Sequence, residues 1–271
     1  MSTSAYGPLP RHRADAYLPD DPGAPILVYF HGGGLESGDR GDNPGLFEKL
    51  VEVGIGVISA SYRLYPHARY PEFVEDAAAC VAWVLETFPE RRVLVGGTSA
   101  GAYLAMMLRF DERCLSAHGK AGSAVAGWVF DGGQPTTHFN VLRERAVDPG
   151  RVVVDEAAPL FHVGPGTAPA PTLVVLAEDD IPGRREQTEL LLATLRSFGA
   201  DDGVRTEVLE GYQHSGYVSE EAGQARLARL VAELALLPNP PHGQRRVPAR
   251  FASSLHVPAV QVGGAGHAAI G

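Results

Sequence analysis

The chain has only two cysteines, Cys80 and Cys114, among 271 residues. Neither has metal-ligand or redox spacing, which excludes a disulfide scaffold, a thiolate zinc site and a dithiol redox centre as organising features. Cys80 falls in an apolar helical pattern and reads as a buried free thiol. Basic charge is scarce too: 23 Lys and Arg stand against 32 Asp and Glu, for a net charge of −9. That balance speaks against nucleic acid or an anionic membrane surface as a partner. No apolar run is long enough to span a bilayer, and residues 1–17 lack the apolar centre of a secretion signal. No internal repeat is present, and acids do not group with histidines in a metal-like pattern. The expectation is a soluble cytoplasmic protein with no cofactor and no metal. The sequence leaves its oligomeric state open, a homodimer among the options.

What the chain does have is glycine, 32 residues of it, and 45% hydrophobic content, ample for a large core. Buried strands are predicted at 26–30, 56–60, 93–96, 124–130, 172–176 and 204–209. Helices are predicted at 47–53, 73–88, 100–110, 184–198 and 218–237. This alternation implies a mostly parallel sheet covered on both faces. Residues 14–18 read as a short edge strand, closed by the turn cluster Pro19-Asp20-Asp21-Pro22-Gly23. Glu75 and Asp76, early in a helix, read as partners of its dipole. Leu190, Leu191, Thr194, Leu195 and Phe198 read as the inner face of the 184–198 helix.

Residues 134–170 break the rhythm, with one short helix near 139–146 and a Pro- and Gly-rich end. We read them as a small cap inserted into a single domain of residues 1–237. From residue 238 the composition shifts to Pro, Gly, Ala and Arg without apolar periodicity, so 238–271 is expected to be a flexible tail. His242, His256 and His267 lie in it and are poor catalytic candidates.

The chemistry centres on Gly97-Thr98-Ser99-Ala100-Gly101, set between the 93–96 strand and the 100–110 helix. In this context Gly-x-Ser-x-Gly forms a sharp turn that lifts a serine hydroxyl above a sheet. Side chains two residues either side would collide, which explains the glycines. The following helix aims its N–H groups at the same point. A second cluster, His31-Gly32-Gly33-Gly34, follows the 26–30 strand. Acyl transfer builds charge on a carbonyl oxygen, and backbone N–H groups approach it closely where glycine permits. His31 reads as an anchor of that loop rather than as a base.

A serine nucleophile needs a base, and the base needs an orienting carboxylate. Beyond the carboxyl ends of three strands stand Ser99, Asp180 and His214, in the chain order expected of this architecture. Asp131 ends an earlier strand at the same edge, and Asp179 and Glu178 adjoin Asp180, so Asp131 and Asp179 compete for the acid's place. Backbone N–H groups of Gly33, Gly34 and Ala100 are the candidate oxyanion donors. Leu35, Thr98 and His138 are the side chains expected to meet substrate, with a plain polar role as the other reading of His138.

These motifs, together with Ser61-Tyr62-Arg63-Leu64-Tyr65-Pro66, resemble the α/β-hydrolase fold, in the esterase and lipase group whose oxyanion loop is His-Gly-Gly-Gly. The likeness covers roughly residues 14–237. It implies a three-layer α/β/α sandwich, a carboxylesterase-type activity on a small-molecule ester, and no cofactor. It also carries over Ser99, Asp180 and His214 and the oxyanion donors. Thr98 stands where the family often has Asp, Glu or His, and Ala102 where it often has a second glycine. The chain before residue 26 is short against that fold, so its N-terminal strands are expected to be reduced. Residues 177–182 and 185–187, with His214-Ser215, resemble arylformamidase-like hydrolases, whose acid corresponds to Asp180. An amide substrate is therefore the alternative, and a lyase or ligand-binding role on the same fold is a third.

Overall fold

Five consecutive apolar residues at 26–30 can be buried together only if both faces of the strand are covered. The computed structural model, which describes residues 2–238, shows that arrangement. Strand β3 (Ile26–Phe30) turns Ile26, Val28 and Phe30 to one layer of helices and Leu27 and Tyr29 to the other. The strands before it are β1 (Ser2–Ala5) and β2 (Arg13–Tyr17). After it come α1 (Pro44–Glu52), β4 (Gly56–Ala60), α2 (Glu72–Thr87), β5 (Val93–Thr98), α3 (Ala100–Phe110) and α4 (Glu112–Ser116). Then follow β6 (Gly127–Asp131), α5 (Phe139–Glu144), β7 (Thr172–Asp179), α6 (Arg184–Ser197), β8 (Val204–Gln213) and α7 (Glu221–Ala235).

The eight strands form one sheet in the order β1-β2-β4-β3-β5-β6-β7-β8. Strands β1 and β2 pair antiparallel with each other, and β2 pairs antiparallel with β4; the other strands run parallel. Helices α2, α3 and α6 cover one face through Phe73, Val81, Tyr103, Leu104, Leu191 and Leu195. Helices α1 and α7 cover the other through Phe47, Leu50, Leu227, Val231 and Leu234. The result is a three-layer α/β/α sandwich. The strand order reverses at β3, and β5 beside it carries Gly97-Thr98-Ser99 toward the carboxyl edge, where ligands of such sheets collect. Among the described residues, no helix is long and apolar enough to cross a membrane.

Four expectations need correction. The N-terminal strands are not reduced: Ser2–Ala5 is a full edge strand, registered with Ala5 opposite Arg13. All four of its residues are exposed, so no apolar alternation marked it. Residues 13–17 are accordingly an interior strand, not an edge. Leu190 is 48% exposed and leaves the inner face of α6 to Arg184, Thr188, Leu191 and Leu195, which share one face at helical spacing. Asp76 does more than meet a helix dipole. It is buried and accepts from the Arg63 side chain at 2.7 and 2.9 Å and from the Arg63 N–H at 2.8 Å, with His12 Nε2 2.9 Å away. It thereby fixes the Ser61–Pro66 connection against α2. The expectation about the tail falls on residues outside those described, apart from Pro238.

Candidate active site

The turn between β5 and α3 forces Ser99 to φ 56° and ψ −112°, a left-handed conformation costly for a residue with a side chain. Its N–H is held by the Asp131 carbonyl at 2.7 Å, which ties the turn to the end of β6. The tightness of the turn shows at Gly101, where a Cβ would lie 1.9 Å from the Phe30 carbonyl oxygen. Helix α3 begins at Ala100, so its first N–H groups have no intrahelical acceptor.

Ser99 Oγ lies 2.9 Å from His214 Nε2, and His214 Nδ1 lies 2.6 Å from Asp180 Oδ1. The histidine side chain is 20% exposed and the Asp180 side chain 4%. Burial alone would raise the Asp180 carboxyl. The hydrogen bond and charge of His214 and the N–H groups of Ile181 and Ala177 outweigh it and hold the group below its ordinary value. An ionised carboxylate only accepts, so Nδ1 carries the proton, and Nε2 is left to accept from the Ser99 hydroxyl.

Asp131, the competing acid, makes no hydrogen bond to His214. Its carboxylate accepts from Thr98 Oγ1 at 2.5 Å and from the Tyr217 hydroxyl. Tyr29 donates to the same Thr98 oxygen at 2.8 Å, and Asn43 donates to Tyr29. This chain of polar groups lies buried under the Ser99 turn, and Tyr217 links it to the segment carrying His214. Asp179 and Glu178 are exposed, and Glu178 accepts from the Gly211 N–H at 2.8 Å.

Burial pushes the Asp131 carboxyl up to about 6, against the opposing bonds from Thr98 and Tyr217. The sign for stability follows. Between its ordinary value of 3.8 and about 6, the folded protein keeps a proton at Asp131 that the unfolded chain releases. Stability therefore falls as pH rises across that window, by on the order of 3 kcal/mol at about 1.4 kcal/mol per unit. Asp180 acts oppositely, but its depressed value places its contribution fully on above the ordinary carboxylate range. In urea unfolding of wild type and Asp131→Asn between pH 4 and 7, the stability difference should drift in favour of the variant as pH rises. A difference that stays flat would contradict this.

The glycine loop runs against the same serine. A Cβ on Gly32 would come within 3.5 Å of Ser99 Cβ. Gly33 sits at φ 102°, where a side chain would strike the Ser37 carbonyl. Its own carbonyl accepts from the N–H groups of Glu36 and Ser37 at 3.1 and 3.0 Å. A trans peptide points its N–H opposite to its C=O, so the Gly34 N–H is fixed facing away from those donors. Among the described residues, the N–H groups of Gly33 and Gly34 have no protein acceptor. His31 stacks on Tyr62 with ring centres 4.3 Å apart, and Tyr62 donates to the His31 carbonyl at 2.8 Å.

The segment between β6 and β7, which carries α5, clasps this loop from the other side. Asn140 of α5 donates to the Gly34 carbonyl at 2.8 Å, Arg143 pairs with Glu36, and Phe139 packs on Gly34. None of the three side chains expected to meet substrate faces open surface. Leu35 is wholly buried in the core. The Thr98 hydroxyl is engaged by Tyr29 and Asp131. His138 is buried beside Tyr103, and its Nδ1 accepts from the Asn140 N–H as the N-cap of α5. Burial, with lesser repulsion from Arg184 and Arg143, lowers His138 to about 3, so its ring is neutral. The Asn140, Arg143 and Tyr217 contacts went unread in the sequence. Their partners lie 86 to 107 residues away, beyond any local pattern.

The alpha/beta hydrolase fold family matches residues 27–218. Carboxylic ester hydrolase LipN of Mycobacterium tuberculosis is 37% identical over 144 residues, which is 50% of this chain and 38% of that protein. Kynurenine formamidase of Danio rerio is 27% identical over 208 residues, 72% of this chain and 68% of that protein. The first mycobacterial esterases matched are spanned over only 30% and 38% of their length. In structure, a thermophilic esterase of Thermogutta terrifontis superimposes with a TM-score of 0.69 at 19% identity, over 86% of this chain and 92% of that one. That likeness is one of fold.

Proposed function

The chain belongs to the alpha/beta hydrolase fold family, and from that premise we propose that it is a serine hydrolase cleaving carboxylic esters. The observation that carries this reading is the continuous hydrogen-bonded line from Ser99 through His214 to Asp180, set at a strained turn. In the proposed reaction the Ser99 oxygen attacks the ester carbonyl while its proton passes to His214 Nε2. Asp180 stabilises the resulting imidazolium. The N–H groups of Gly33, Gly34 and Ala100 stabilise the oxyanion, each worth on the order of 10²–10³ in turnover. The imidazolium then gives its proton to the departing alkoxide, leaving the acyl group on Ser99. Water attacks that ester, His214 again takes and returns the proton, and the carboxylic acid leaves. Leu35, Thr98 and His138 support the site in this reading: Leu35 as core, Thr98 as a link to Asp131, His138 as a helix cap.

The alignment with the zebrafish kynurenine formamidase, over most of both chains, favours a second reading, hydrolysis of an N-formyl amide by the same groups. One experiment addresses both. Wild type and Ser99→Ala are treated with a fluorophosphonate probe, and turnover of p-nitrophenyl acetate, p-nitrophenyl butyrate and an N-formyl anilide is measured alongside. The expected result is labelling and ester turnover in wild type and neither in the variant. Faster cleavage of the anilide than of the esters would favour the amidase. An unlabelled wild type inert to all three would overturn the hydrolase reading.

A further inference from the structure

Five charged side chains are deeply buried among the described residues, and four of them have partners. Asp15 pairs with Arg40 and Thr3, Asp76 with Arg63, Asp111 with Arg113, and Asp131 with Thr98 and Tyr217. Arg184 is the exception. It is 5% exposed, and its buried Nε and Nη1 have no acceptor among the described residues. Arg91 and Arg92 each leave one nitrogen unpaired as well, but both bond a carbonyl through another. A buried cation without a partner costs several kcal/mol, and a fold that keeps one needs a reason.

Its position supplies that reason. Arg184 opens α6, and its N–H closes the turn onto the Ile181 carbonyl at 2.9 Å, directly after Asp180. Thr136 Oγ1 donates to Gln187 Oε1 at 3.2 Å, which seats the first turn of α6 against the chain leading into α5. Arg184 therefore opens a turn that lies between the loop carrying Asp180 and that segment. Neither Asp180 nor His138 hydrogen-bonds Arg184. The Asp180 oxygens are bonded to His214 and to the N–H groups of Ile181 and Ala177. His138 is neutral, and its Nδ1 is occupied by Asn140.

We infer that Arg184 is the anion-recognition residue of this site, and that the substrate carries a carboxylate on its acyl or leaving group. The inference rests on the hydrolase reading above and names the substrate class within it. A carboxylate offers two oxygens matched to the fork of a guanidinium, and the strength of such a pair grows where water is scarce. Burial draws Arg184 down only to about 10, so it is charged at neutral pH.

The test compares kcat/KM for neutral p-nitrophenyl butyrate and acidic mono-p-nitrophenyl glutarate in wild type, Arg184→Gln and Arg184→Lys. The preference for the acidic ester should fall about 30-fold in Arg184→Gln, as when one partner of a buried charge pair is removed, mainly through KM. Arg184→Lys should recover part of it, keeping charge but losing the fork. Thermal unfolding of Arg184→Gln should show no loss of Tm, since no internal bond is broken. A preference that moves less than about threefold, or a large fall in Tm, would overturn the inference in favour of a structural arginine. If wild type cleaves neither ester, the hydrolase reading fails separately. Isothermal titration with glutarate then decides for Arg184: binding to wild type that is lost in Arg184→Gln supports it, and no binding to wild type overturns it.

Discussion

Asp180→Asn is expected to lower ester turnover on the order of 10⁴-fold while leaving the fold intact. The reason is the tautomer. With a carboxylate at 2.6 Å, His214 Nδ1 must donate, and Nε2 is free to take the serine proton. An amide can turn its NH2 toward the ring, and the imidazole then carries its proton on Nε2, where it blocks Ser99. Asp131→Asn should cost far less turnover, because that carboxylate bonds Thr98 and Tyr217 instead of the histidine. Its effect belongs to stability and its pH dependence. Parallel kcat measurements on the two variants separate the roles, and the reverse ranking would move the acid to Asp131. Rising pH should restore little activity to Asp180→Asn, since the lost group no longer titrates.

The second large effect is on folding. Gly101→Ala adds one carbon 1.9 Å from the Phe30 carbonyl oxygen and 2.5 Å from its carbon. Both are backbone atoms of a central strand, so no rotamer change relieves the contact. Either α3 moves off the sheet or β3 shifts against both its neighbours, and each course loosens the core around Tyr103 and Leu104. A loss of more than about 4 kcal/mol is expected, a size reserved for a few severe mechanisms. The variant should be poorly soluble or melt far below wild type, and any folded fraction should resist fluorophosphonate labelling. Gly122→Ala is the control, since nothing lies within 4 Å of a Cβ there. A Gly101→Ala protein as stable as Gly122→Ala would refute the steric argument.

How much of this was legible beforehand depended on whether the signal was local. Strands 26–30 and 56–60 and the helix at 100–110 lie where their apolar patterns placed them, because burial on both faces leaves an uninterrupted apolar run. Ser99, Asp180 and His214 were identified by strand ends and chain order, and the fold brings those three within hydrogen-bond reach. Spacing puts Asp180 first but leaves Asp131 in competition. What separates them is where each carboxylate points, and that is set by Tyr217 and Thr98. Strand Ser2–Ala5 was invisible because an exposed edge strand needs no apolar residues, only a neighbour with free backbone groups. The burial of Leu35, Thr98 and His138 was likewise hidden, since a residue at a motif's edge looks the same whether it faces a ligand or the core.

The clasp between the inserted helix and the glycine loop has an evolutionary consequence. Insertions of this kind are where relatives on one scaffold diverge, since loops tolerate change. Here the insertion also holds Gly34 through Asn140 and Phe139, and Glu36 through Arg143. If Gly34 donates to the oxyanion as proposed, a lineage that replaced the segment between β6 and β7 to admit a new substrate would disturb the rate of the chemical step as well as the choice of molecule. Diversification should therefore proceed by exchange of side chains around a retained Asn140, and a grafted insertion lacking that amide should arrive as a slow catalyst whatever it binds.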